Sequence, residues 1–266
     1  MFAGMIYTES LGVGLSNMLS QSLGAHNLLP LVESQLGVGK LCLEMDFGKC
    51  DYDESLELQT EIVSRRKEDI IPDCLLFFEY SHIFTWGRIG KKEHLLISPS
   101  ELERLGISVH QTGRGGDITY HGPGQLVVYP VVDLKAWHKD VGFYLRTLEQ
   151  VVIETLSDFN IKAERELGMT GVWVKGFKIA AIGIKTSQWV TSHGLALNVN
   201  TDLEYFNFIV PCGLFSRGVT SMEKILGKSL KINEVRDCLS SHFTDKFKMD
   251  REPSQWDTAN PLCMGK

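Results

Sequence analysis

The chain has no lysine or arginine before Lys40. A secretory signal needs a basic leading region and a mitochondrial presequence needs arginines. Neither is present, so residues 1–38 are expected to form a poorly ordered extension, with an atypical transit peptide as the alternative. No apolar run reaches the roughly 18 residues that a membrane-spanning helix requires. None of the six cysteines (Cys42, Cys50, Cys74, Cys212, Cys238 and Cys263) forms a Cys-x-x-Cys pair, and no cysteine–histidine spacing matches a zinc site. They read as reduced thiols of an intracellular protein, most of them small core residues. Basic residues are outnumbered 27 to 33, a formal charge of −6. That balance argues against nonspecific binding to nucleic acid, which wants a basic face. No repeat and no Pro/Gly/Ser-rich linker breaks up the region that follows the extension.

What is there is ordinary for a globular domain: 43% hydrophobic and 23% charged residues in a chain of 266. One domain is expected over residues 39–249, followed by a tail over 250–266. Residues 41–47 alternate like a strand, and 52–65 carry apolar side chains mostly on one helical face. The short apolar run 74–78 reads as a buried strand. Ser98-Pro99-Ser100-Glu101 opens a helix as a capping box with proline at its first position, and Gly106 closes it. Strands are expected at 107–111 and 125–132, then a long amphipathic helix at 141–159. Residues 172–174 and 179–184 flank Lys175-Gly176 as a tight hairpin. A strand at 193–200 and helices near 221–226 and 232–247 complete the domain. Strands and helices mix without regular alternation, which predicts α+β with a mixed sheet and flanking helices.

Three features stand out for chemistry. The run Arg114-Gly115-Gly116-Asp117-Ile118-Thr119-Tyr120-His121-Gly122-Pro123-Gly124-Gln125 packs glycines among hydrogen-bonding side chains. Glycines let backbone approach a ligand, and exposed N–H groups can hold a carbonyl or an anion. The same run also suits a plain hairpin with glycines at its bends. It lacks the Gly-Lys-Ser/Thr end of a phosphate loop, and no Gly-x-Gly-x-x-Gly opens a helix here. Pro211-Cys212-Gly213 sets a cysteine at a bend. A lone cysteine is more often core than nucleophile. To react near neutral pH it needs a basic or cationic neighbour, for which Lys178, His121 and His193 are the candidates. Lys178 interrupts the apolar run Phe177-Lys178-Ile179-Ala180-Ala181-Ile182-Gly183, either pointing off an edge strand or partly buried. His193 precedes Gly194-Leu195-Ala196-Leu197-Asn198 and by default is a hydrogen-bonded core or loop histidine.

Together these stretches resemble the lipoyl (octanoyl) transferase family. The glycine-rich run with Tyr129-Pro130, the block from Lys178 to Gly183, the block from His193 to Asn198 and the block from Phe206 to Gly213 match its motifs in order, and Val219-Thr220-Ser221 also fits. Thr85-Trp86-Gly87 is present, but Tyr80-Ser81 stand where the family often has His-Pro.

The resemblance implies a biotin/lipoate protein ligase-like catalytic domain. It implies Cys212 as the nucleophile that carries an acyl thioester, and Lys178 as the group that favours its thiolate. The substrate-binding residues it implies are Arg114, Gly115, Gly116, Asp117, Ile118, Thr119, Tyr120 and His121, then Ala181, Ile182 and Gly183, then Gly194, Leu195 and Ala196. The implied reaction moves an octanoyl group from octanoyl-acyl carrier protein to a lysine of lipoyl domains, those of 2-oxoacid dehydrogenase complexes and of the glycine cleavage H protein. No cofactor or metal is implied, and neither nucleic acid nor membrane is expected as a partner. The expected setting is a bacterial-type cytoplasm, with plastid or mitochondrion as the alternative. An ATP-dependent lipoate ligase on the same fold is the nearest rival; a thiol hydrolase and a noncatalytic acyl-binding module are further ones.

Overall fold

The computed structural model describes residues 41–210 and 218–253. Its centre is an eight-stranded mixed sheet in the order β11-β1-β2-β6-β10-β9-β8-β7. The strands are β1 (Leu41–Lys49), β2 (Asp73–Glu79), β6 (Gln125–Val131), β7 (Glu164–Glu166), β8 (Met169–Val174), β9 (Phe177–Ser187), β10 (Val190–Asn198) and β11 (Asp250–Pro253). β1 runs parallel to both its neighbours, and the remaining pairs are antiparallel. A smaller sheet, β4-β3-β5, is made from β3 (Ile83–Trp86), β4 (Ser108–Gln111) and β5 (Ile118–His121).

β2 shows why the sheet needs cover on both faces. Leu75 and Phe77 point into one core, and Cys74, Leu76 and Phe78 into the other. The first core is closed by two helices, α4 (Val141–Asp158) through Leu148, Val152 and Leu156, and α6 (Ile232–Phe247) through Val235, Leu239 and Phe243. The second is closed by α1 (Tyr52–Lys67) through Tyr52, Ile62 and Val63. α1 starts where the Asp51 carboxylate accepts from the N–H groups of Asp53 and Glu54, and its last turn holds Arg65, Arg66 and Lys67, charges placed to suit the helix dipole. α2 (Pro99–Leu105) has the expected capping box between Ser98 and Glu101, and Gly106 leaves it in the left-handed region. Two further short helices are α3 (Leu134–Trp137) and α5 (Met222–Leu226). The third core lies under the small sheet and gathers Phe84, Ile118, Tyr120, Phe206 and Ile209.

The α+β mixed sheet is as expected, and so is the hairpin at Lys175-Gly176, where both residues have positive φ. Four strands were not anticipated: β3, β5, β7 and β11. β5 lies inside the glycine-rich run, and it exists because Ile118–His121 pair with Ile83–Trp86 far away in sequence. β11 begins where the sequence suggested a tail. Asp250–Pro253 extend the sheet parallel to β1, an edge position that a proline tolerates. Lys178 is also not at a sheet edge, because β9 runs between β10 and β8.

Candidate active site

β9 and β10 form the floor of the site. Their register sets Ala181 opposite Ala196 and Gly183 opposite Gly194. Residues two apart on a strand share a face, so these four small residues make one lane free of bulky side chains. Val127, opposite Ala196 on β6, borders it. The lane opens into a cavity of about 570 Å³. Glycine is required at 183: a Cβ there would sit 2.8 Å from the Gly115 carbonyl oxygen and 3.3 Å from Arg114 Cδ.

The glycine-rich loop closes over this floor. The Gly115 N–H donates to the Ile184 carbonyl at 2.9 Å. Arg114, buried to 9% exposure, donates through Nε and Nη2 to Thr85 Oγ1 (3.2 and 3.0 Å) and through Nη1 to the Gly115 carbonyl. Asp117 fastens the loop to the next segment: its carboxylate accepts from the Ile118 N–H (2.7 Å) and the Lys91 N–H (3.3 Å) and makes a short contact with His94 Nδ1.

Of the sequence-predicted substrate-binding residues, Arg114, Gly115, Gly116, Asp117, Thr119 and His121 line the cavity, and so do both β-strand triplets, 181–183 and 194–196. Ile118 and Tyr120 do not. Alternation along β5 turns them into the third core, where both are fully buried. Sequence reasoning took the run as one ligand-facing block because nothing local marks a strand within it.

Lys178 lines the cavity at 8% exposure, with Nζ 4.8 Å from the centre of the Trp173 ring. Its aliphatic chain lies over Gly171, where an added Cβ would come 3.3 Å from Lys178 Cε and 2.7 Å from the Ala180 carbonyl oxygen. The buried Glu149 carboxylate holds that stretch of β8, accepting from the Gly171 N–H at 3.0 Å. The Lys178 main chain is paired as well. Its N–H donates to the Gly218 carbonyl (3.1 Å), and its carbonyl accepts from the Thr220 N–H (2.9 Å).

Neither histidine is suited to be a cationic neighbour for a thiol. Burial and the Arg114 charge push His121 down to about 3. Burial, then Arg114 and Lys185, push His193 down to about 4. Both are neutral imidazoles at ordinary pH. His121 has both nitrogens engaged, Nδ1 with Gln125 Oε1 (2.8 Å) and Nε2 with Thr85 Oγ1 (3.3 Å). His193 sits at φ 55°, and its N–H donates to Gln59 Oε1.

Cys212 lies outside the described residues. Its described flanks are Val210, whose N–H donates to the His94 carbonyl (2.8 Å), and Gly218, whose carbonyl accepts from Lys178. Sequence reasoning met Thr85 only as part of the Thr85-Trp86-Gly87 motif and did not single out Gln59, His94 or Glu149. Each acts through long-range contacts, and no local pattern signals them. Among the described residues no group of His, Cys, Asp and Glu is arranged to hold a metal ion.

A mixed sheet that carries a small-residue lane, a glycine loop closing it and a lysine at its margin define an acyl-handling catalytic domain. The chain belongs to the lipoyl protein ligase A/B catalytic domain family, which matches residues 51–244. Within that family the similar curated proteins are octanoyltransferases. The one from Solibacter usitatus is 50% identical over 212 residues, 80% of this chain and 96% of the relative. The one from Cytophaga hutchinsonii is 43% identical over 232 residues, 80% of this chain and 95% of the relative. Octanoyl transfer in lipoate biosynthesis is accordingly the activity of this chain. Solved structures share the fold: a putative lipoate protein ligase from T. acidophilum (TM-score 0.65, 17% identity, covering 80% of this chain and 88% of that one) and a lipoate-protein ligase A bound with ATP (TM-score 0.66, 17% identity, covering 81% and 88%).

Proposed function

We propose that the chain takes its octanoyl group from octanoyl-acyl carrier protein, holds it as a thioester on Cys212 and passes it to a lysine of a lipoyl domain. The observation that carries this reading is the pairing of Gly218 and Thr220 with the Lys178 main chain. It fastens the chain just beyond Cys212 to the lysine at the margin of the lane.

In the first half-reaction the Cys212 thiolate adds to the thioester carbonyl carbon. The donor's C–S bond then breaks, and its thiol leaves with a proton. Lys178 serves the thiol proton: as an ammonium it favours the thiolate, and as an amine it takes the proton. With both histidines neutral, and both nitrogens of His121 engaged, Lys178 is the one of the three candidates left for this work. The acyl chain lies along Ala181, Gly183, Gly194 and Ala196. In the second half-reaction the amine of the lipoyl-domain lysine attacks the acyl thioester, the acyl–sulfur bond breaks, and an amide forms while Cys212 is restored. Conversion of a thioester to an amide runs downhill, so the route needs no ATP and no cofactor.

The acceptors in this reading are the lipoyl domains of 2-oxoacid dehydrogenase complexes and the glycine cleavage H protein. A solved structure of similar fold comes from an archaeal ligase studied with its E2 lipoyl domain. The reading sets the reaction in a bacterial-type cytoplasm, as the bacterial relatives support. Among the described residues no helix is long and apolar enough to cross a membrane. The catalytic domain in this reading begins at 39 and takes in β11, so it runs to 253 instead of stopping at 249.

Intact-protein mass spectrometry tests it, with octanoyl-acyl carrier protein and no acceptor. The expected result is an octanoyl adduct that maps to Cys212 and vanishes when apo lipoyl domain is added and itself gains the mass. Transfer that needs ATP and free octanoate, with no adduct, would instead support the adenylating ligase reading.

A further inference from the structure

Four polar side chains cross the buried space between the glycine loop and Thr220. Arg114 reaches Thr85 Oγ1 (3.0 Å from Nη2), and Thr85 Oγ1 reaches His121 Nε2 (3.3 Å). His121 Nδ1 reaches Gln125 Oε1 (2.8 Å), Gln125 Nε2 reaches Asn198 Oδ1 (2.9 Å), and Asn198 Nδ2 reaches the Thr220 carbonyl (3.0 Å). Every one of these side chains is buried.

The two ends fix the direction of every link. A guanidinium can only donate and a main-chain carbonyl can only accept. Asn198 must therefore offer its N–H to Thr220 and its oxygen to Gln125. Gln125 must then donate to Asn198 and accept from His121, which places the His121 proton on Nδ1 and leaves Nε2 as an acceptor. The Thr85 hydroxyl fills that acceptor and itself receives the two Arg114 donors. Each group donates in the same sense, from Arg114 through to Thr220. The second Gln125 N–H donor confirms the amide orientation, since it goes to the Tyr120 carbonyl at 3.2 Å. His121 fits such a chain only as a neutral imidazole, in keeping with its depressed pKa.

We propose that Thr85, His121, Gln125 and Asn198 are positioning residues: their one-way chain ties the acyl-binding loop at Arg114 to Thr220, and through the Thr220 N–H to Lys178. It sets where the Lys178 main chain and the bridge at Val219 beyond Cys212 stand relative to the bound acyl group. The inference rests on the reading of Cys212 and Lys178 as the reacting pair. It makes His121 a structural conduit with no proton to give or take during transfer.

The test is Asn198→Asp in the full-length protein, an isosteric change that leaves Gln125 its acceptor but turns a lone pair toward the Thr220 carbonyl. At neutral pH kcat for acylation by octanoyl-acyl carrier protein falls about tenfold or more, as expected for an unsatisfied buried acceptor, while KM stays within about twofold. The distinguishing readout is the pH profile. A protonated carboxyl donates to Thr220 again, so the ratio of variant to wild-type kcat rises as pH falls. A mere loss of stability gives no such recovery, because acid would worsen it.

Thr85→Val and Thr85→Ser form the second pair, used on their own if Asn198→Asp does not fold. The valine variant loses acylation rate, and the serine variant, which keeps the hydroxyl, recovers most of it. Wild-type rates in Asn198→Asp, a fall in its kcat ratio with acid, or equal rates in the two Thr85 variants would overturn the proposal. No Cys212 adduct in the wild-type protein would instead strike the underlying reading, so the two failures are distinguishable.

Discussion

Ala181→Leu tests whether the small-residue lane measures the acyl chain. Ala181 faces the cavity, opposite Ala196 and two residues from Gly183. Leucine adds three carbons, which point into the cavity rather than into a packed core. They occupy the space of about three methylenes of the acyl chain. Each methylene withheld from an apolar site costs about 0.8 kcal/mol, so octanoyl loses roughly 2.4 kcal/mol, close to 60-fold in kcat/KM. A chain three carbons shorter loses little, and the preference for eight carbons moves toward five. The assay is competition between acyl carrier protein thioesters of four to ten carbons, read by mass spectrometry of the lipoyl domain. A uniform drop across all lengths would refute the reasoning, since it would mean that Ala181 does not face the acyl chain.

Arg88, Lys91 and Lys92 are exposed on the segment that the Asp117 carboxylate and the Arg114 carbonyl fasten to the loop. Reversing all three charges should raise KM for the acyl carrier protein about tenfold at low salt with kcat unchanged, an effect that shrinks as salt screens it; an unchanged KM retires this surface as the docking site. Acid should unfold the protein through its buried histidines. Because the folded values of His121 and His193 (about 3 and about 4) lie below the ordinary 6.5, the unfolded chain binds more protons between them. Stability is then complete above about pH 6.5 and declines as pH falls toward the folded values, His121 alone accounting for a loss on the order of 5 kcal/mol by the time its folded value is reached. Urea midpoints measured from pH 7.5 to 4.5 should show this slope, and a flat series would contradict the burial of both rings. Gly171→Ala should cut kcat more than stability explains, because its Cβ presses on Lys178 Cε and the Ala180 carbonyl; unchanged kcat in a folded variant would show that the lysine tolerates displacement.

Much of the fold was legible wherever the determinant was local. Helix α6 could be read to its boundaries from apolar spacing, and α2 from Ser98, Pro99, Glu101 and Gly106, because capping and amphipathic burial act within a few residues. The hairpin at Lys175-Gly176 was equally local. The motif blocks from Arg114 to Thr220 also lay open in the sequence, and the family they resemble is the one the chain belongs to. β5 and β11 were hidden because each pairs with a strand distant in the chain, and neither Ile118–His121 nor Asp250–Pro253 has enough periodicity to declare itself.

The amino-acid order thus determined the types of residue brought to the site, the glycines that let backbone come close, and a lysine, Lys178, set in an apolar run. Only the tertiary structure decided which face each residue took and which proton each group carried. Ile118 and Tyr120 turned away from the cavity because β5 alternates, while Thr119 and His121 turned toward it. His121 and His193 became neutral because burial beside Arg114 removes the solvent that would stabilise their charge. Direction along the chain from Arg114 to Thr220 arose the same way. Donor and acceptor roles of Asn, Gln, Thr and His are free in an unfolded chain, and they become single-valued only when folding sets a pure donor at one end and a pure acceptor at the other.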